Sequence, residues 1–363
     1  MSSVRNVHRI LIYRIGNLGD IICTIPAMVA IRRRFPTAWI GLLTNKAIGG
    51  NPDPEAILEG NDFLDTIITY NPRQIRNFQY LKSLLAHIHD LKPELLVYFS
   101  LSDTTRRRLL RDWLFFKMAG CRKLIGFNKP KPEKVILKNG IKMPIFPQEV
   151  DRLMRHVVPL GIDPGKVEFR LPIKEKDREI INRIWARYRL NNKSPIVAIC
   201  PGAKFQAKRW PEQRFSQVVS ILSRKYEAQI ILIGGPAEEE AGKKIVKASR
   251  TSVVNLIGQT TYMQSAEVLR RCDLLVSNDC GPAHLAAAVG TPVVGIYSSR
   301  DYPGAWHPWG NIHTILRNDS VSCRFCFKTD CETKECINGI TVDQVIEACD
   351  KYLSSLPPKG EKE

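Results

Sequence analysis

The sequence predicts an α/β protein made of two doubly wound halves that face each other across a cleft. Three observations carry that prediction. Short apolar runs alternate with helix-length segments in two successive series, the runs end in glycine-bearing loops, and a polar, charged stretch from Pro172 to Asn192 separates the series. Alternating strands and helices imply parallel sheets with helices on both faces. Ligands of such sheets bind beyond the C-terminal strand ends, where the glycine loops lie.

The first strand is His8–Tyr13. It breaks at Gly16-Asn17-Leu18-Gly19-Asp20, and a helix runs from about Ile21 to Phe35, stopping before Pro36. Trp39–Leu43, Thr66–Tyr70 and Leu95–Phe99 read as strands, and Phe78–His89 as a helix. Residues 127–150 are rich in Pro and Lys and read as a surface loop. Asp177–Tyr188 is a helix within the polar stretch, so the domains divide as residues 1–172 and 173–363. The second series opens with strand Ile196–Cys200, the basic loop Pro201–Trp210 and helix Pro211–Lys225. Strand Gln229–Ile233, a Gly-Gly-Pro turn, strand Val253–Leu256, helix Tyr262–Arg271 and strand Asp273–Ser277 follow. A small-residue helix opens with Pro282, whose missing N–H would be unpaired at that position anyway, and a last apolar run ends at Tyr297. Thr341-Val342-Asp343-Gln344 has the capping-box pattern and starts the final helix. The tail Pro357–Glu363 is expected to be loose.

With 363 residues and 44% apolar side chains, the chain can bury two ordinary cores. The N-terminus lacks a signal pattern, and no run approaches the roughly 18 apolar residues of a membrane span. The expected location is cytoplasmic, with peripheral placement on the inner membrane as an option. The net charge is +18, and residues 1–170 alone carry 27 Lys and Arg against 15 Asp and Glu. The densest clusters are Arg32–Arg34, Arg106-Arg107-Arg108 with Arg111, and Lys129–Lys142. Such an excess suits an anionic partner, whether nucleic acid, a phosphorylated small molecule or an anionic membrane. The plainer alternative is a solvated helix face. No RNA-binding aromatic motif, usual zinc finger or helix-turn-helix signal is present, so nucleic acid is not the expected partner.

Four loops carry residue types suited to chemistry. In Ser277-Asn278-Asp279-Cys280-Gly281-Pro282-Ala283-His284, the amides of Gly281, Ala283 and His284 are expected to be free at a helix start and to hold a phosphate. The alternative is an ordinary turn capped by Asp279. In the first loop, Gly16 and Gly19 allow close backbone approach, and Asp20 can accept a proton from an attacking hydroxyl; alternatively Asp20 caps the helix. No third glycine completes a dinucleotide fingerprint there, which argues against a nicotinamide enzyme. Lys208, in the basic loop, is placed to clamp a diphosphate or else is a solvated lysine. Glu238 follows Gly234-Gly235-Pro236 and can bind ribose hydroxyls, although acidic residues are favoured at a helix start regardless of function. No Asp-x-Asp pair occurs, so the sequence requires no catalytic metal or cofactor.

Taken in order from residue 14 to residue 297, these loops resemble glycosyltransferase family nine, the ADP-heptose:lipopolysaccharide heptosyltransferases. The Gly-Asn-Leu-Gly-Asp loop with Pro26, the Pro-Gly-Ala…Lys-Arg-Trp-Pro-Glu loop, the Gly-Gly-Pro-x-Glu turn and the Asn-Asp-x-Gly-Pro-x-His-Leu-Ala segment carry the likeness. The resemblance implies a GT-B fold of two Rossmann-like domains, with acceptor on the N-terminal domain and nucleotide sugar on the C-terminal one. It implies an inverting transfer of a sugar, most simply heptose from ADP-heptose, to a lipopolysaccharide inner-core acceptor. Asp20 matches the family's general base. Lys208, Glu238, Asp279, Cys280, Gly281 and His284 fall on donor-binding positions. Cys280 stands where a Thr or Ser is common, and Ala203-Lys204 replaces a double-Thr phosphate loop. Both departures bear on the donor's identity. Gly19, Arg106, Arg107, Arg108 and Arg111 become candidates for an anionic glycolipid acceptor or the membrane around it. A transferase for another nucleotide sugar or another acceptor, and a nucleotide-sugar epimerase of the same fold, are the competing readings. Cys323-x2-Cys326-x4-Cys331-x4-Cys336 is a candidate for structural zinc or iron, the alternative being reduced thiols in a loop packed near the donor pocket.

Overall fold

The computed structural model describes residues 7–47, 53–138, 141–191 and 193–356; the tail at 357–363 lies outside them. The chain forms two compact units, Met1–Pro172 and Ile173–Glu363.

The first unit runs β1 (Arg9–Tyr13), α1 (Leu18–Arg34), β2 (Trp39–Asn45), α2 (Pro54–Leu58), β3 (Thr66–Tyr70), α3 (Phe78–Asp90), β4 (Leu95–Tyr98), α4 (Arg106–Met118), β5 (Lys123–Ile125), β6 (Lys134–Lys138), β7 (Ile141–Ile145) and α5 (Glu149–Val157). Five strands pair in parallel in the order β3-β2-β1-β4-β5. The connection from β3 to β4 crosses back over β1, so the topological switch lies between β1 and β4. Alternation along the strands sends Leu11, Tyr13, Leu96 and Tyr98 to one face, where they pack with Ile88 of α3 and with Leu109 and Phe116 of α4. On α1 a near-continuous apolar run is buried, and the helix packs against α5.

Residues 127–150 are not a plain surface loop. They contain the antiparallel hairpin β6–β7 and the start of α5. Val135 and Ile136, both β-branched, lie at the centre of β6 and favour the extended chain, which outweighs the Pro and Lys signal around them.

The second unit runs α6 (Glu175–Tyr188), β8 (Ile196–Cys200), α7 (Glu212–Tyr226), β9 (Gln229–Leu232), α8 (Glu239–Ser249), β10 (Val253–Asn255), α9 (Tyr262–Arg270), β11 (Leu274–Asn278), α10 (Gly281–Ala288), β12 (Val293–Tyr297), β13 (Thr314–Arg317), α11 (Glu335–Asn338) and α12 (Val342–Leu353). Its six strands are all parallel, in the order β10-β9-β8-β11-β12-β13, with the switch between β8 and β11. Those two central strands are fully buried, as all-parallel sheets covered on both faces require. The last helix has the capping box its sequence predicts: Thr341 Oγ1 accepts from the Gln344 N–H, and Gln344 Oε1 accepts from the Thr341 N–H.

Candidate functional site

In the first unit, the turn after β1 delivers Arg14 and Asp20 to the switch point. Gly16 adopts a φ of +143°, and a Cβ there would run into the Asp20 carboxylate, so only glycine fits this turn. Asp20 stands in the first turn of α1, and its Oδ2 accepts from the Asn17 N–H at 2.8 Å. Its Oδ1 accepts from Arg14 Nη2 at 2.8 Å. Asp20 therefore does cap the helix, and it is also tied to a fully buried guanidinium.

Arg14 extends this into a network. It donates to Glu149 Oε1 at 3.0 Å and to the Ser100 carbonyl at 2.9 Å. Arg152 embraces Glu149 from the same helix at 2.6 and 2.7 Å and reaches Ser100 Oγ at 3.0 Å. Two arginines and two carboxylates thus cancel in a buried cluster, as burial demands. Burial alone would raise the Glu149 pKa, but Arg152 and Arg14 outweigh it and hold the carboxyl below its ordinary value. His156, one turn beyond Arg152, is pushed down to about 4 by burial and by Arg152.

Of the candidate acceptor arginines, Arg106 and Arg107 are exposed at the start of α4. Arg111 is exposed but paired with Asp112 at 2.7 Å. Arg108 is the exception: it is turned toward Asp112 at 3.8 Å, and its Nε is buried without a hydrogen-bond partner.

In the second unit, the loops after β8, β11 and β12 meet at the switch point. Asn278, the last residue of β11, binds the loop after β8 at two places. Its Oδ1 accepts from the Trp210 N–H at 3.2 Å, and its Nδ2 donates to the Pro201 carbonyl at 2.6 Å. This brings Lys208, in a short 3₁₀ turn, against the next residue of the β11 loop. Lys208 Nζ lies 2.5 Å from Asp279 Oδ2 and 2.8 Å from Asp301 Oδ2. Lys208 is therefore neither a solvated lysine nor a freely swinging one. Burial alone would lower its pKa, but Asp279 and Asp301 outweigh it, so the ammonium stays charged.

Asp301 escaped the sequence reading, as did the residue that holds it. Arg300 grips Asp301 at 2.7 and 2.8 Å and lies 4.8 Å over the Phe205 ring. It also donates to the Phe327 carbonyl at 2.6 Å and the Lys328 carbonyl at 2.5 Å. The signal available was position: Arg300-Asp301 stands just past the C-terminal end of β12.

The remaining candidates sit close by. His284 is buried on α10, with its ring edge-on to Trp306 at 6.0 Å. The Cys280 thiol faces Cys200 at 3.6 Å, and that contact together with burial keeps it protonated. Glu238 Oε2 accepts from the Gly235 N–H at 2.9 Å, and its side chain occupies the space a Cβ at Gly202 would take. One expected donor is already spent: the Ala283 N–H bonds the Cys280 carbonyl at 3.2 Å in a tight first turn. The amides at the start of α10 are therefore not all free for a phosphate.

The cysteine loop is folded against this assembly. Phe325 and Phe327 donate their N–H groups to the Ser299 and Arg300 carbonyls, and the Ala207 N–H reaches the Thr329 carbonyl. Cys336 is raised in pKa by burial and by the nearness of Cys323 and Cys326. Cys331 is occupied in its own turn, where its sulfur accepts from the Lys334 N–H at 3.4 Å. As placed, the four thiols do not make a ligand set, and among the described residues no three His, Cys, Asp or Glu side chains gather as a metal site.

Comparison with known proteins places this geometry. The family model for glycosyltransferase family 9 (heptosyltransferase) matches residues 109–337. Lipooligosaccharide heptosyltransferase 2 of Campylobacter jejuni is 30% identical over 173 residues, which is 46% of this chain and 53% of that protein. This chain thus spans about half the length of that relative. Lipopolysaccharide heptosyltransferase 3 of Escherichia coli is 23% identical over 95% of this chain and 98% of its own. Among solved structures, a family 9 glycosyltransferase from Veillonella parvula superposes with a TM-score of 0.75 at 19% identity, covering 96% of this chain and 98% of that one. The ADP-heptose lps heptosyltransferase II of E. coli gives 0.64 at 19% identity, covering 95% and 98%. The iron-containing dodecameric glycosyltransferase TibC of enterotoxigenic E. coli gives 0.55 at 15% identity, covering 98% and 78%. The fold is GT-B.

Two outcomes follow from the buried charges and the pKa shift they produce. Asp301→Ala leaves Lys208 with one carboxylate and Arg300 without its ion pair, and should cost about 3 kcal/mol, read from urea unfolding, because buried charges lose a partner. His156 is neutral in the fold, with a pKa of about 4, against about 6.5 unfolded. The unfolded state therefore binds the extra proton between those values, and stability falls as pH drops from about 6.5 to 4. This group contributes on the order of 3 kcal/mol to that fall. His156→Gln should flatten the slope over that window in a pH series of unfolding curves.

Proposed function

The chain belongs to glycosyltransferase family 9, and we propose that it moves heptose from ADP-heptose onto a hydroxyl of an anionic lipopolysaccharide inner-core acceptor, with inversion at the anomeric carbon. The observation that carries this reading is the Lys208–Asp279–Asp301 cage at the switch point of the second sheet. It fixes a charged ammonium at the place where a parallel α/β sheet binds a nucleotide.

In this reading the two units serve the two substrates. Asp20 takes the proton of the acceptor hydroxyl as its oxygen forms the new bond to the anomeric carbon. The bond from that carbon to the donor's phosphate oxygen breaks, and its electron pair leaves with the diphosphate. An ammonium has three N–H donors, and two of those of Lys208 point at aspartates. The third is the one to offer a phosphate oxygen as charge develops on the leaving group. Arg300 acts one step back, as a positioning residue that fixes Asp301. Glu238 is assigned to the donor ribose, and His284 and the Cys280–Gly281 turn to the donor's sugar side. Arg14 and Glu149 keep the Asp20 carboxylate aimed. Arg106, Arg107 and Arg111 are assigned to phosphates of the glycolipid acceptor or of the membrane around it.

We assign the chemistry no metal and no cofactor. A structural iron or zinc at Cys323, Cys326, Cys331 and Cys336 is a separate proposal, supported by the Cys-x2-Cys pair and requiring Cys331 to leave its present turn. No helix among the described residues is long and apolar enough to cross a membrane. We place the enzyme at the cytoplasmic face of the inner membrane, where a lipid-linked acceptor is held.

Asp20→Asn should lower kcat by about 10²- to 10⁴-fold. Thermal stabilisation by ADP-heptose should persist in this variant, and turnover of the parent enzyme should survive EDTA. Equal turnover by the Asn variant removes Asp20 from its role. If another nucleotide sugar stabilises the protein and ADP-heptose does not, the donor assignment is wrong. ADP-heptose consumed without any acceptor would favour a hydrolase or epimerase.

A further inference from the structure

Among the described residues, nine of the thirteen exposed large hydrophobics fall between Ile75 and Leu137, on the first unit. Four of them share one helix. At about 100° per residue, Leu110, Trp113, Leu114 and Met118 fall on the outward half of α4. Leu110 is 61% exposed and Met118 65%. The other residues of that half are cations: Arg106, Arg107, Lys117 and, at its margin, Arg111. The one acidic residue of the helix, Asp112, is turned inward, where it accepts from the Tyr98 hydroxyl at 2.6 Å. The outward face of α4 is thus an apolar stripe laced with positive charge and free of negative charge.

Two further elements of the same unit also expose large apolar side chains. Phe78, the first residue of α3, is 78% exposed, and the β6–β7 hairpin exposes Leu137 at 71%, registered against Lys142 of the facing strand. The α3 turn, the start of α4 and the chain leading to the hairpin all leave the sheet at its C-terminal edge, after β3, β4 and β5. Asp20 stands at that same edge, after β1.

We infer that this face docks on an anionic phospholipid bilayer, with the α4 apolar side chains in the headgroup layer and the arginines on lipid phosphates. Mixed Trp, Leu, Arg and Lys on one helix face, with acid excluded, is the composition of a helix that lies in a membrane interface. The charge argues against a second copy as occupant, because a two-fold contact through α4 would set one all-cationic stripe against another. The inference deepens the glycolipid-acceptor reading and rests on it for its biological sense: docking would bring a membrane-held acceptor to the edge that carries Asp20. The binding itself needs no turnover.

The test is co-sedimentation of the full chain with vesicles of phosphatidylcholine alone, or of phosphatidylcholine with roughly one third phosphatidylglycerol. The parent protein should pellet with the anionic vesicles, release with salt, and ignore the neutral ones. The Leu110→Gln/Leu114→Gln variant should bind at least about tenfold more weakly, as each buried methylene is worth about 0.8 kcal/mol at such an interface. Both leucines are exposed, so an unchanged melting temperature should accompany the loss. Turnover of a lipid-free acceptor fragment should also be unchanged. Equal binding by parent and variant, or none by either, overturns the proposal. So does a dimer that the leucine substitutions convert to monomer, since the face then belongs to a second copy. If the vesicle result stands while no sugar is transferred, the docking is right and the function reading is wrong.

Discussion

A charge buried at the C-terminal edge of a parallel sheet must be matched inside the protein before any ligand arrives. Both units are organised around that constraint. In the first, Arg14 sits under the turn after β1 and is matched by Asp20 and Glu149. In the second, Lys208 is matched by Asp279 and Asp301. An unpaired cation at either place would carry a desolvation cost of several kcal/mol, so each cluster forms whole or not at all. The consequence is pre-organisation: the groups that would meet substrate are locked by partners from elements distant in sequence, such as α5 and the loop after β12.

The same constraint explains what was legible in the sequence. Strand and helix alternation is a local signal, and each strand read from the sequence lies within a residue or two of its expected place, whereas β5, β6, β7 and β13 were not read at all. The glycine loops were legible because Gly16 and Gly202 have steric reasons to be glycine that show as motif positions. The partners were not. Nothing near Lys208 in the chain announces Asp301, and nothing near Asp20 announces Glu149 or Arg152; only the fold brings them together. The Ala283 amide was misjudged because Pro282 marks a helix start without revealing that the first turn closes on Cys280. The hairpin at β6–β7 was missed because Pro and Lys density masked a short β-branched run.

The cysteine loop gains a role from its hydrogen bonds rather than from its spacing. Its backbone carbonyls at Phe327 and Lys328 hold Arg300, which holds Asp301, which holds Lys208. The loop is thus one wall of the second unit's charge cage, whatever its sulfurs bind. The basic first unit likewise separates into two kinds of arginine. Some are spent inside, such as Arg14 and Arg152, and Arg108 is half-buried toward Asp112, while Arg106 and Arg107 remain outside among apolar side chains. Net charge alone did not distinguish them.

The most direct test of the account is product analysis. The purified chain would be incubated with ADP-heptose and a heptose-accepting inner-core oligosaccharide, with mass spectrometry and NMR of the product. The account predicts release of ADP in step with gain of one heptose, whose anomeric configuration is the inverse of the donor's. Retained configuration, or no transfer from ADP-heptose while another nucleotide sugar is consumed, would contradict it.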